Sequence, residues 1–173
     1  QEATEKFNVA ASLYNVRGET AQAIRVLTRV TKLAPMDLTI RQMLIELLNF
    51  NGRTDEAIQQ YMDIANVYYL LAELDKTKKY YQEALALSQK STSAHTWAVE
   101  ILNKLADIEL QSLDLKEAIK ILEQLRGLEP MVPTTRATLI DLYLRIGHPS
   151  AAMNELDAYL KMLDKSGQPQ KSE

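Results

Sequence analysis

The chain has 173 residues and a formal net charge of −3. This mild acidity gives no basic surface of the kind that binds nucleic acid. No apolar run is long enough for membrane insertion. The absence of cysteine excludes disulfides and thiolate chemistry. Glycine and proline number only five each, and Leu, Ala, Glu, Lys and Gln dominate, which favours an all-α protein because these five are good helix formers.

A helical hairpin is predicted at the start of the chain, over residues 4–37. Gly18 separates its two helices, since glycine tolerates the left-handed geometry of a helix end. Pro35 closes the unit because proline cannot continue a helix interior. The apolar residues that recur at spacings of three and four on the two inward faces are Phe7, Ala10, Ala11 and Tyr14, then Ala23, Ile24, Leu27 and Val30.

A second hairpin of the same length begins at Leu38 and covers residues 38–71. Its turn glycine, Gly52, corresponds to Gly18 of the first hairpin. Two further pairs are separated by the same interval, Ala23 with Ala57 and Leu27 with Tyr61. This constant interval of about 34 residues predicts a chain built from repeated helical units.

The period then slips, because Thr77 takes the place of Ala57 well before a full interval has passed. No helix breaker separates Thr54 from Leu71, so we interpret this segment as one continuous helix. It would close the second unit and open a third over residues 58–91, and it must therefore be apolar on two sides. The residues that make it so are Ala57, Tyr61, Ile64, Ala65, Tyr68 and Leu71.

Two further units are predicted, at residues 92–132 and 133–164. The polar run Ser88–Ser93 predicts a loop, followed by longer helices near residues 94–112 and 115–128. Residues 166–173 show no periodicity, and we expect a disordered tail or a linker there.

The stretch from Ile64 to Leu87 resembles a tetratricopeptide repeat, a helix–turn–helix unit of about 34 residues. The residues that match the small and aromatic positions of that repeat are Ala65, Tyr68, Tyr81 and Ala84. Two residues depart from its pattern: Thr77, where alanine is usual, and Ala72, where the turn often has glycine. The resemblance implies an all-α, right-handed α-α superhelix of about nine antiparallel helices, forming a single solenoid domain over residues 1–165.

The resemblance also implies a concave groove, lined by the first helix of each repeat, in which peptides bind. The residues at groove positions are Asn8, Ser12, Gln42, Glu46, Asn49, Met62, Asn66, Tyr69, Asn103, Asp107, Ala137, Asp141 and Arg145. Glu46, Asp107 and Asp141 share one repeat position and could make the groove mildly acidic; the alternative is that they are ordinary solvated residues. Tyr69 is the aromatic candidate for a partner contact, because it falls beside the core position.

The expected partner is a protein or peptide segment of basic or polar character. Some proteins of this family bind a C-terminal carboxylate with a clamp of lysine, arginine and asparagine. Here Asn8 and Ser12 stand where that clamp begins, and its basic residues are missing, so that mode is not expected. The acidic groove positions also argue against RNA as the partner.

Catalysis has no support in the sequence. His95 and His148 have no carboxylate or second histidine at a spacing that would build a metal site on one helix face. No glycine-rich phosphate loop and no nucleophile elbow occurs. We therefore expect no enzyme, no cofactor and no metal.

Two functions remain open. The first is a non-catalytic scaffold that binds a partner in the groove; the alternative is a regulatory or oligomerisation domain of a larger signalling or transcription protein. The start without methionine suggests a processed or excised piece of a longer, cytoplasmic chain. The last helix is apolar on more than one side, which would allow a homodimer to form through it. The residues responsible are Met153, Leu160, Met162 and Leu163.

Overall fold

The computed structural model describes Val9 and residues 18–167. Eight α-helices and no strand are found in this part of the chain. The helices are α1 (Thr20–Leu33), α2 (Leu38–Phe50), α3 (Thr54–Leu70), α4 (Leu74–Ser88), α5 (Ala94–Gln111), α6 (Leu115–Leu128), α7 (Pro133–Arg145) and α8 (Pro149–Gly167). The all-α prediction is confirmed for the described residues, whereas the helix predicted around Asn8 and Ser12 lies outside them.

Local sequence signals start several helices. The carboxylate of Asp37 accepts a hydrogen bond from the backbone N–H of Ile40 at 3.2 Å, and so caps α2. Asp114 does the same for α6. Each cap satisfies one of the N–H groups that a helix start leaves without an intrahelical partner. Pro133 is favoured in the first turn of α7 because a proline there loses no intrahelical bond.

Four helix–helix turns close in the same way. In each, a backbone N–H bonds to the carbonyl five residues earlier, and the residue just before that N–H has a left-handed backbone. The closing bonds run from Arg53 to Leu48, from Glu73 to Tyr68, from Asp114 to Glu109 and from His148 to Tyr143. Glycine occupies the left-handed position at Gly52 and Gly147, but Ala72 and Leu113 occupy it at φ 57° and 60°.

Contacts divide the chain into two compact units, with the boundary between Ala98 and Val99 inside α5. In the first unit α3 runs without a break and packs against both α2 and α4. Ala65 of α3 and Ala84 of α4 are fully buried, which allows close approach of the neighbouring helices. The core cluster of this unit contains Ile24, Leu27, Val30, Ile40, Leu44, Ile45, Leu48, Ala57 and Ile64.

One detail of the first unit differs from the prediction. Leu71, predicted to face inward, is 50% exposed because α3 ends at Leu70 and Leu71 already belongs to the turn. Trp97, at the start of α5, is only half-buried, and its indole N–H donates to the carboxylate of Asp55 at 3.0 Å. Asp55 also pairs with Ser91, so one carboxylate links the loop after α4 to the start of α3.

In the second unit α7 packs against both α6 and α8. The buried apolar residues of the second unit include Ile101, Leu105, Ala118, Leu122, Leu125, Leu139, Leu142 and Ala152. Arg136 and Glu155 are buried together, and Arg136 Nη1 lies 2.5 Å from Glu155 Oε1. Arg126 binds the second carboxylate oxygen, so the charge of Glu155 is fully paired.

Candidate functional site

The predicted groove residues of the first unit form stripes on α2 and α3. Gln42, Glu46 and Asn49 follow one another at spacings of four and three, which keeps them on one face of α2. All three are exposed. Asn66 of α3 is also exposed, and Tyr69 is 37% exposed at the last turn of that helix.

Met62 does not belong to this surface. Its side chain is only 6% exposed. The physical reason is the double packing of α3, which contacts both α2 and α4 and therefore buries more than one of its faces. The assignment of Met62 to the groove was therefore wrong.

The predicted groove residues of the second unit lie on α5 and α7. Asn103 and Asp107 are exposed on α5, and the Asn103 amide donates to the Val99 carbonyl at 2.8 Å. On α7, Asp141 accepts from Arg145 at 2.8 Å, four residues apart, and both side chains are more than half exposed. This pairing partly cancels the acidic charge that the sequence suggested for Asp141.

The structure also shows an aromatic array in the first unit that the sequence pattern does not predict. The ring of Tyr68 stacks on that of Tyr80, with centroids 5.4 Å apart and planes 10° apart. Tyr61 meets the other side of the array, 6.4 Å from Tyr80 at 33°. All three rings are half-buried against the core cluster. The sequence signal that could have indicated this array is the spacing of Tyr61 and Tyr68, which lie two turns apart on α3.

The array lies among charged side chains. Burial raises the pKa of Tyr61, and the negative charges of Glu83 and Glu46 raise it further. At the other end, Lys76 places its ammonium 5.0 Å from the ring centroid of Tyr68 and forms a salt bridge with Glu73. The hydrogen bond to Glu73 raises the pKa of Lys76, so this lysine stays charged at neutral pH.

Within the described residues, no group of three or more His, Cys, Asp or Glu side chains could hold a metal ion. His95 and His148 are both exposed, as expected for ordinary surface residues. Over the same residues, every helix is too short or too polar to cross a membrane.

A family model described as tetratricopeptide repeat matches residues 60–128. The matched residues include most of α3 and all of α4, α5 and α6. The resemblance that rested on the small and aromatic positions of α3 and α4 is thereby confirmed. No curated protein matches the chain.

Solved structures that match the chain share little sequence with it. A chain in the structure of Naa15/Naa10 bound to HypK-THB matches with a TM-score of 0.53 at 18% identity, over 96% of this chain and 26% of that one. BtubC (BKLC) from P. vanneervenii matches with a TM-score of 0.47 at 18% identity, covering 98% of this chain and 84% of that one. The MamA protein matches with a TM-score of 0.41 at 18% identity, covering 99% and 98%.

Proposed function

We propose that this chain, with its tetratricopeptide repeats, is a non-catalytic scaffold that binds a segment of another protein on the groove surface of α2 and α3. The observation that carries the proposal is the pair of exposed polar stripes on these helices. Gln42, Glu46 and Asn49 form one stripe, and Asn66 and Tyr69 belong to the other. Exposed residues of this kind offer hydrogen bonds to a peptide without any rearrangement of the core.

The proposed partner segment is basic or polar. Glu46 is exposed, and no salt bridge within residues 18–167 neutralises it. In the second unit, Asp107 is exposed on α5 as well. Such charges speed the encounter with a cationic segment and disfavour an acidic one. The exposed residues Asn103, Asp107, Asp141 and Arg145 are proposed partner contacts within the second unit itself.

An affinity capture with a groove variant tests this proposal. Asn49→Lys/Asn66→Lys adds bulk and positive charge to both stripes and leaves the core unchanged. We expect a protein retained by the parent chain to be lost with this variant. Retention must persist with Gln82→Lys/Asn154→Lys, which adds the same charge at exposed amides outside the predicted groove. The groove assignment would be contradicted if both variants lost the captured protein equally, or if neither variant lost it.

A second function, oligomerisation, is favoured by one observation on α8. Its exposed apolar residues repeat at spacings of three, four and three, which is the pattern of a helix that packs against another helix. These residues are Met153, Leu156, Leu160 and Leu163, with exposures between 38 and 58%. The proposed occupant of this stripe is a second copy of the chain.

A cytoplasmic location is part of either proposal and can be tested by fractionating cells that express the tagged protein.

A further inference from the structure

One end of the aromatic array already holds a cation. The Lys76 ammonium lies over the Tyr68 ring at 5.0 Å, within the roughly 6 Å at which a cation and a ring face attract each other. The Glu73 carboxylate pairs with the same ammonium. This end therefore combines one half-buried tyrosine and one carboxylate, and a lysine of the chain itself occupies it.

The opposite end has the same components and one more carboxylate. Tyr61 closes the array 6.4 Å from Tyr80, and Glu83 follows Tyr80 by about one turn of α4, on the same face of that helix. Glu46 lies on α2, which packs against α3, and the charges of both carboxylates act on the Tyr61 phenol. Glu46 comes from α2 and Glu83 from α4, so the two carboxylates approach Tyr61 from different helices. Neither has a salt-bridge partner anywhere in residues 18–167.

We propose that the Tyr61 end of the array binds an arginine side chain of the partner segment. The guanidinium would stack on the Tyr61 ring and donate hydrogen bonds from its edge to Glu46 and Glu83. This inference rests on the proposed function and adds to it the chemical class of one anchoring residue.

Arginine fits this place better than lysine for two physical reasons. Its planar guanidinium can stack on a ring and donate to carboxylates at the same time, whereas an ammonium is a compact charge without a flat face. The guanidinium is also more weakly hydrated, so it costs less to place against the half-buried ring of Tyr61.

Binding of defined peptides tests the inference directly. The probes are fluorescein-labelled decapeptides of alternating glycine and arginine, or alternating glycine and lysine, measured by fluorescence anisotropy at physiological salt. We expect the arginine peptide to bind at least threefold more tightly than the lysine peptide. Equal affinities, or tighter binding of the lysine peptide, would overturn the assignment to arginine.

Two pairs of variants locate the binding. Glu46→Gln/Glu83→Gln should weaken the arginine peptide at least tenfold, while Asp157→Asn/Asp164→Asn, with the same change in net charge on α8, should change affinity less than twofold. Tyr61→Leu should also weaken binding, and Tyr61→Phe, which keeps the ring, should not. Circular dichroism verifies that each variant is folded. Equal weakening by the two acidic pairs would overturn the site, since net charge alone would then explain binding.

Failure of the arginine site and failure of the proposed groove give different experimental results. The capture experiment uses Asn49 and Asn66, which are not part of the arginine site. If capture depends on these asparagines while the Glu46/Glu83 variant and the α8 variant weaken peptide binding equally, the arginine site is refuted and the scaffold proposal stands. If the peptides bind as expected and capture ignores the asparagines, the proposed groove is refuted.

Discussion

Ala72 and Leu113 carry a Cβ atom in a backbone conformation that favours glycine. Their φ angles are 57° and 60°, close to the 69° of Gly52 in an equivalent turn. A left-handed conformation costs an ordinary L-residue about 1–2 kcal/mol. The same closing hydrogen bond forms in all these turns, which explains why the conformation is kept despite its cost.

Replacing Ala72 by glycine should therefore stabilise the protein. The relief of strain outweighs the extra backbone entropy of glycine in the unfolded chain, leaving a gain of about 0.5–1 kcal/mol. Urea unfolding measures the change. Ala86→Gly is the matched control, because Ala86 is exposed within α4; it should lose about 1 kcal/mol. A loss of stability in Ala72→Gly would contradict the account of the turn.

Tyr143 gives the fold a dependence on alkaline pH. Its hydroxyl donates to the Glu123 carboxylate at 2.5 Å. Burial, followed by this hydrogen bond and the charge of Glu123, raises the pKa of Tyr143 to about 12 from its ordinary value of 10.0. A raised pKa means that the folded state favours the protonated phenol, so its contribution is complete below pH 10 and is lost as the pH approaches 12.

The comparison of Tyr143→Phe with the parent chain tests this dependence. At neutral pH the variant should be less stable by about 1–2 kcal/mol, because it loses a hydrogen bond to a charged group. The difference between the two proteins should shrink as the pH rises from 10 to 12. Urea unfolding at a series of pH values gives the difference, and a constant value across that range would refute the assigned role of the hydrogen bond.

At the scale of the helices, two buried arginines perform the same structural task in the two units. Each donates from Nε to the carbonyl of a proline six residues earlier, Arg41 to Pro35 at 3.1 Å and Arg136 to Pro130 at 2.8 Å. Each also pairs with an acidic residue of the following helix. The arginine thus ties the end of one helical hairpin to the next.

The cost of losing these arginines should differ between the units. Asp63, the acidic partner of Arg41, is 40% exposed, whereas Glu155, the partner of Arg136, is buried. Arg136→Ala leaves a buried carboxylate with only Arg126 beside it, so we expect a loss of about 3–5 kcal/mol. Arg41→Ala should cost clearly less in the same urea unfolding experiment. Equal losses would show that the burial of the partner does not set the cost.

The helices themselves were predictable because local residues decide their ends. Gly52 and Pro35 act on neighbours in sequence, so pattern and spacing locate the helix boundaries closely. The face that each residue presents was less predictable. Met62 has the spacing of a groove residue, yet it is buried because α3 is covered from two sides, which periodicity within one helix does not reveal.

Side-chain contacts between helices were the least predictable part. Tyr80 meets Tyr61 and Tyr68 only after α4 folds back on α3, and Glu46 reaches the same place from α2. No sequence spacing encodes such an arrangement directly. The predicted boundaries of the five repeats and the single solenoid domain remain predictions, as does the superhelical handedness.

At the scale of the whole molecule, the α8 stripe makes the oligomerisation proposal testable. That proposal predicts a mass in solution that rises towards the dimer as concentration increases, measured by light scattering after size exclusion. Leu160→Glu places a charge in the middle of the stripe and should keep the protein monomeric. Lys161→Glu, at the exposed neighbouring residue, should leave association intact. A parent chain that is monomeric at every concentration would refute the proposal.

Site-specific photo-crosslinking can show whether a partner binds the groove surface of α2 and α3. A photoreactive amino acid is placed at Asn66 in the predicted groove or at Arg25, which is exposed on α1. We expect a crosslinked partner protein from position 66 and none from position 25. Crosslinking from position 25 alone, or to the same extent from both, would contradict the claim that this surface binds the partner.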